Sequence, residues 1–325
     1  MTSRRFRTPR TLLLATSTLL WAGCGATTSP STSTATGASL LAGYQQARWQ
    51  PGVTVSFPDN CTMRYSSTGA PSHGQDRYYL VPNPAAPAVA VTPTGRLALS
   101  VSTVPTSTRV TSYTINICSS VTSSATSTRG GSTGWMISGS AMFNAFEGDM
   151  VTIANADNVT YAFTDASGRA QTAAFLDACS GHQTPTNAGA TYHYHGYSSC
   201  LASAAGDGTS GASHIVGVAL DGFPIYGDRD LTGALVPVSS LDQCNGITSP
   251  TPEFPAGVYH YVLPSGAERN TARAAPPCYR GSVSASLQLA IAASGMWCGT
   301  RASATPVQLA SAVAAGNGPR AGRRS

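Results

Sequence analysis

Tyr192-His193-Tyr194-His195-Gly196 places two of the chain's six histidines two residues apart. Tyrosine neighbours favour an extended backbone, and along a strand alternate side chains share a face. His193 and His195 are therefore expected to point one way, and Tyr192 and Tyr194 the other. Two imidazoles on one face can grip a single ion, because neutral imidazole is a ligand for copper, zinc, nickel and iron. Cys179 and His182 lie upstream, Cys200 follows, and a partial echo, Tyr259-His260-Tyr261, lies further along. His182 could fold back toward the strand. His260, on another strand, is the natural third or fourth ligand, with His73 in reserve. The expected centre is His182, His193, His195 and His260 around a copper or zinc ion, with no organic cofactor indicated. The alternative for the same residues is a buried polar network in which each imidazole bonds a carbonyl or a tyrosine hydroxyl.

Asp221 ends the apolar run 214–220 and precedes Gly222. It reads first as a turn residue capping backbone amides. In a metal-dependent enzyme it would instead be the base beside an open coordination position. Other chemistries fit poorly. There is no Gly-x-Ser-x-Gly elbow, no His-Glu-x-x-His and no phosphate loop, and only three glutamates are present.

The elements that must position these residues are short and extended. Alternation marks strands at 53–57 and 97–104, and further candidates lie at 78–81, 113–118, 135–137, 142–144, 151–153 and 161–163. Residues 119–134 read as a long loop, 175–178 as a short helical turn and 214–220 as an apolar strand. Helical composition is otherwise confined to 287–293 and 307–315. Only 10% of residues are charged, and the profile is that of a mainly β, disulfide-stabilised single domain with little helix, a sandwich or irregular barrel.

The ends predict export. A basic segment through Arg10 and an apolar run over 11–22 have the order of a secretion signal. The run is too short to span a bilayer. It closes on Ala22-Gly23-Cys24, which predicts lipidation of Cys24 and so a membrane partner through a lipid anchor. Residues 1–24 are thus read as a lipoprotein-type signal peptide, 25–49 as a Ser/Thr-rich tether, 50–300 as the β domain and 301–325 as a C-terminal tail. The protein is placed in the cell envelope or outside the cell. The formal charge of +5 comes from seven terminal arginines; without them 12 basic residues face 14 acidic ones. Nucleic acid is not an expected partner.

Beyond Cys24 seven cysteines remain, and in an exported chain disulfides are their default state. Cys179 with Cys200 would close a loop around the histidine strand. Cys61 with Cys118 and Cys278 with Cys298 are the next pairs, which leaves Cys244 unpaired.

Several motifs in one order resemble the YHYH-domain proteins. They are Gly69-Ala70-Pro71-Ser72-His73; Leu176 to His182; Tyr192 to Gly196 with Cys200; Gly217 to Gly227; Leu241 to Gly246; Tyr259-His260-Tyr261; and Pro277 to Gly281. Val262 stands where family members often carry a last histidine. The resemblance implies an extracytoplasmic β-rich domain and no settled activity. Three readings follow: a histidine metal site of copper or zinc; a metal-dependent enzyme with Asp221 as base; and a surface module for a cell-surface glycan or protein ligand, in which the Tyr/His cluster is structural.

Overall fold

A computed structural model describes residues 37–83, 86–128 and 130–288. The signal, Cys24, Cys298, the helical composition at 307–315 and the C-terminal tail lie outside the described residues. The expected mainly β architecture is present. After α1 (Leu41–Gln46) the chain forms β1 (Val53–Asp59), β2 (Thr62–Ser67), β3 (Tyr79–Pro82), β4 (Ala90–Val91), β5 (Ala98–Ser102) and β6 (Thr111–Asn116). There follow β7 (Thr126–Ser127), β8 (Ser132–Met136), β9 (Ala141–Phe143), β10 (Thr160–Thr164), β11 (Ala170–Ala174), β12 (Gly181–Gln183) and β13 (Tyr192–Tyr194). Then come α2 (Ser199–Ala205), β14 (Ile215–Ala219), β15 (Pro224–Tyr226), β16 (Gly246–Ser249), β17 (Val258–Val262) and β18 (Cys278–Tyr279). No helix of the described residues is long and apolar enough to cross a membrane.

Three sequence expectations change. The folded part starts before residue 50, because Leu40 and Tyr44 are buried and Tyr44 donates a hydrogen bond to the Gly222 carbonyl. Residues 175–178 form no helix. The Asp177 carboxylate instead accepts from the amides of Cys179 and Gly181, which turns the chain into β12. Residues 151–153 contribute only an isolated bridge, Phe146 to Ile153.

Strands β1, β2 and β6 form one antiparallel sheet; β10, β11, β3, β5 and β4 form a second. Along β6, Thr111, Tyr113 and Ile115 are buried while their neighbours are exposed, as a half-covered strand requires. Tyr113 and Tyr65 close over Trp135, with the Tyr113 and Trp135 rings stacked at 4.8 Å. Trp135 belongs to the principal sheet, ordered β12-β13-β9-β8-β14-β15-β17-β16. Every residue of β8, β14, β15 and β17 is buried, so these mostly apolar strands show no polar alternation, and the polar side chains they do carry, Ser132, Thr133 and His260, are buried too.

The principal sheet reads the same from both ends. Gly134-Trp135-Met136-Ile137-Ser138-Gly139 and Gly217-Val218-Ala219-Leu220-Asp221-Gly222 occupy matching positions, and Gly139 and Gly222 both have positive φ, 105° and 86°. At the centre β14 pairs antiparallel with β8, Gly217 opposite Met136, Val218 opposite Trp135 and Ala219 opposite Gly134. That register is unchanged when the two halves are exchanged. A Cβ on Gly134 would lie 2.7 Å from the Val218 carbonyl oxygen, and one on Gly217 would lie 2.7 Å from that of Trp135. The two glycines thus permit the same close approach from either side.

The outer strands repeat as well. Leu176-Asp177-Ala178-Cys179-Ser180-Gly181 matches Leu241-Asp242-Gln243-Cys244-Asn245-Gly246, and Ser180 and Asn245 share a positive φ of 58° and 64°. Tyr192 donates to Asp177 as Tyr259 donates to Asp242. The principal sheet is an internal duplication about a pseudo-twofold axis through the β8–β14 pair.

Among the described residues three disulfides pin the chain, Cys61–Cys118, Cys179–Cys200 and Cys244–Cys278. Cys278 therefore does not pair with Cys298, and Cys244 is not the odd cysteine. Asp242 sets this up by accepting from the Cys244 amide.

Candidate metal centre

Strand β13 holds His193, and the antiparallel register with β12 sets His182 directly opposite it. His195 follows two residues on, so the expected shared face exists. One ring nitrogen each of His182, His193 and His195 lies within 4.8 Å of the others, and all three residues are buried. His195 Nε2 is 3.2 Å from His182 Nε2 and 3.0 Å from His193 Nε2. These three residues could hold a metal ion.

The proton positions follow from the outer nitrogens. His195 Nδ1 lies 2.7 Å from the Asn144 carbonyl, which can only accept, so Nδ1 carries the proton and Nε2 presents a bare lone pair. His193 Nδ1 faces the Thr191 carbonyl at 3.4 Å in the same sense. Burial pushes His195 down to about 4, against the pull of Glu147. Burial, then the charges of His182 and His195, hold His193 well below the usual histidine range. Neutral imidazoles are the form that binds metal.

Glu147 completes the cluster and was not singled out by the sequence pattern. It is buried in the loop after β9, and its Oε1 lies 3.3 Å from both His182 Nε2 and His195 Nε2. Burial opposes its charge, and it is the positive charge of His182 and His195 in their protonated form that outweighs burial and holds the carboxyl below its ordinary value. Glu147 Oε1 and His182 Nδ1 are buried without a hydrogen-bond partner. Phe143 stacks on His193 at 3.9 Å, and Phe175 meets His182 edge-on at 5.0 Å. These rings leave the nitrogens facing one another rather than water.

The tyrosines on the other face are anchors. Tyr192 and Tyr79 both donate to Asp177. The Tyr194 hydroxyl meets Ser138 Oγ at 2.8 Å and His73 Nε2 at 2.6 Å. His73 is thus behind the strand, not with the three histidines.

His260 does not join the cluster. It sits on β17, five strands from β13 in the sheet order, which at strand spacing is roughly 24 Å. It is the pseudo-twofold partner of His193: Tyr226 covers it at 4.8 Å, as Phe143 covers His193. Ile247 is opposite it where His182 is opposite His193, and Val262 stands at the place of His195. Asp230, which follows the matching bridge Arg229 to Leu235, turns its carboxylate onto the amides of Thr232 and Ala234. One half has the donor set; the other keeps His260 but has Ile247 and Val262 in place of the other two imidazoles.

Asp221 is not beside an imidazole. Its carboxylate accepts from the Tyr261 hydroxyl at 2.6 Å and the Gly281 amide at 2.8 Å, and takes the Phe223 amide at 3.4 Å. It thereby ties the turn after β14 to β17 and to the segment after β18, the anchoring role of Ser138 in the other half. Burial pushes its carboxyl up to about 6 despite these donors. An acid raised on folding contributes stability that is present below its unfolded pKa and lost as pH rises through its folded value. In chelator-treated protein, the stability of wild type relative to Asp221→Asn should fall between pH 4 and pH 7. Urea unfolding across that range measures it, and a difference that does not vary with pH would contradict the assignment.

Residues 112–239 match the family model described as YHYH protein. The motifs at 69–73, 241–246, 259–261 and 277–281 fall outside the matched span. No curated protein and no solved structure matches the chain.

Proposed function

We propose that this chain, with its YHYH domain over residues 112–239, is an exported, lipid-anchored protein whose fold is held by one zinc ion on His182, His193, His195 and Glu147. Copper is the alternative ion for the same donors. The observation that carries the reading is the inward convergence of three Nε2 atoms and a carboxylate oxygen in a buried space. Without a cation, the lone pair of His195 faces the Glu147 carboxylate at 3.3 Å. For metal–nitrogen bonds of 2.0–2.1 Å, tetrahedral ligands stand about 3.3 Å apart, close to the spacings around His195. A bound ion would supply positive charge that the cluster otherwise lacks. Asn144 and Thr191 fix the imidazole tautomers, and Phe143 and Phe175 exclude water.

A centre made of four protein donors with little solvent access has the character of a structural site, since catalytic sites keep a position open. The burial of the histidines supports that side, and so does the separation of Asp221 from them. Three disulfides support an oxidising compartment, and Ala22-Gly23-Cys24 supports the anchor. Metal analysis of untagged protein should find about one equivalent per chain. The His193→Ala/His195→Ala variant should hold none, while His260→Ala should keep it. A wild type without metal, or a double variant that retains it, would overturn the assignment.

A second reading, surface recognition, is favoured by a cleft of about 610 Å³ in which Tyr78 and Phe163 lie beside Asp76, Arg77 and Asp165. Aromatic faces next to carboxylates suit a neutral glycan. Binding on a glycan array that survives in the His193→Ala/His195→Ala variant would support it, and no binding would remove it.

A further inference from the structure

We propose that the Cys179–Cys200 disulfide is a reducible gate: opened by a dithiol, its two sulfurs join His73 as a second, thiolate-rich metal site. The donors are already assembled. His73 Nδ1 lies 3.5 Å from Cys179 Sγ, and the ligating atoms of His73, Cys179 and Cys200 are all within 4.8 Å of one another. With zinc–sulfur bonds near 2.3 Å and zinc–nitrogen bonds of 2.0–2.1 Å, tetrahedral ligands stand about 3.6 Å apart for N and S and about 3.8 Å for two sulfurs. The nitrogen is therefore in place, and opening the gate requires only that the sulfurs separate between backbones whose Cα atoms are 5.4 Å apart.

Access sets this site apart from the buried one. His73 and Cys200 line a cleft of about 520 Å³, which leaves a fourth position for an outside ligand. Among the described residues, only this cysteine pair belongs to a metal-donor group. The imidazole can change tautomer and keep its bond to Tyr194, giving up the one to Gly74. Nδ1 now donates to the Gly74 carbonyl at 2.7 Å, at the exposed edge of the ring. For ligation its proton moves to Nε2, which then donates to Tyr194, and Tyr194 donates to Ser138. Tyr194 is thus a positioning residue.

The redox step balances. The dithiol gives two electrons and two protons and becomes a disulfide, while Cys179 and Cys200 become thiols. Metal binding then releases the two thiol protons to solvent. The expected ion is soft, copper(I) or zinc(II).

Cobalt(II) titration of the full chain tests this, before and after reduction with a dithiol and anaerobic desalting. Oxidised protein should bind one equivalent without a thiolate charge-transfer band. Reduced protein should bind a further equivalent with that band, and alkylation mapping should place Cys179 and Cys200 among the opened residues. His73→Ala should weaken the further equivalent at least 10-fold and leave the first untouched. Reduced protein that takes up no further cobalt, or uptake that His73→Ala does not change, would overturn the proposal. Cys179→Ser/Cys200→Ser should abolish the band; if that variant does not fold, His73→Ala decides. Failure of the buried centre would show separately, as loss of the thiolate-free equivalent in oxidised protein.

Discussion

Stripping the metal from the oxidised protein is expected to lower its unfolding free energy by ~4 kcal/mol, the linkage value when free metal stands at about 1,000 times its dissociation constant. For a domain of this size that is a fall in Tm of roughly 8–16 °C. The cause is local. In the metal-free state His195 Nε2 faces Glu147 Oε1 at 3.3 Å, and both are acceptors in a buried site. His193→Ala/His195→Ala should therefore resemble stripped wild type, and its Tm should no longer respond to added zinc. Differential scanning calorimetry with and without chelator reads all four states. Wild type whose Tm is the same with and without chelator would mean that the cluster is a polar network and not a metal centre.

Loss of the Cys179–Cys200 disulfide should act on both stability and metal. The bond spans 21 residues, and by chain entropy it stabilises the fold by ~3 kcal/mol. His182, His193 and His195 all lie inside that loop. Without the bond, the ordering of the loop falls to metal binding, and affinity at the buried centre should drop by up to about 100-fold. The Cys61–Cys118 bond supplies the comparison. It spans 57 residues and should stabilise the fold by ~4 kcal/mol, yet its loop contains none of the three histidines. Cys61→Ser/Cys118→Ser should therefore lose stability and keep its zinc affinity. Competition with a chromophoric chelator, together with denaturant unfolding, separates the two effects. Equal affinity losses in both variants would show that the enclosed loop has no special connection to the ion.

The part of the site that could be read from the sequence was the part encoded locally. Spacing of two put His193 and His195 on one face, and the short interval to His182 allowed the hairpin that sets it opposite. Glu147 could not be found in this way. It reaches the cluster because β9 pairs parallel with β13, Ala141 beside His193, across an interval of about fifty residues that no periodicity marks. Its one visible signal was rarity, as one of three glutamates in a chain poor in charge.

His260 misled for a physical reason. A local motif copied by duplication carries its side chains to the far side of a pseudo-twofold sheet, not toward the original. The duplication itself was hidden because the spacing between halves changes. Gly134 and Gly217 are 83 residues apart, whereas Asp177 and Asp242 are 65 apart, since the first half contains the β10–β11 hairpin and the second does not. The same broken spacing separated Cys244 from its counterpart Cys179 and left its bond to Cys278 unseen.

The duplicated sheet places an internal reference inside every molecule. Around Tyr194 the backbone is buttressed by imidazoles; around Tyr261 the same backbone is buttressed by Ile247 and Val262. Solvent, temperature and global unfolding are common to both halves, so a zinc-dependent change in amide hydrogen exchange at one tyrosine and not the other is local to that half. Adding and removing zinc should move the first and leave the second as the baseline. The ratio of the two rates then weighs a metal centre against aliphatic packing on one fold, in one sample and without any mutation.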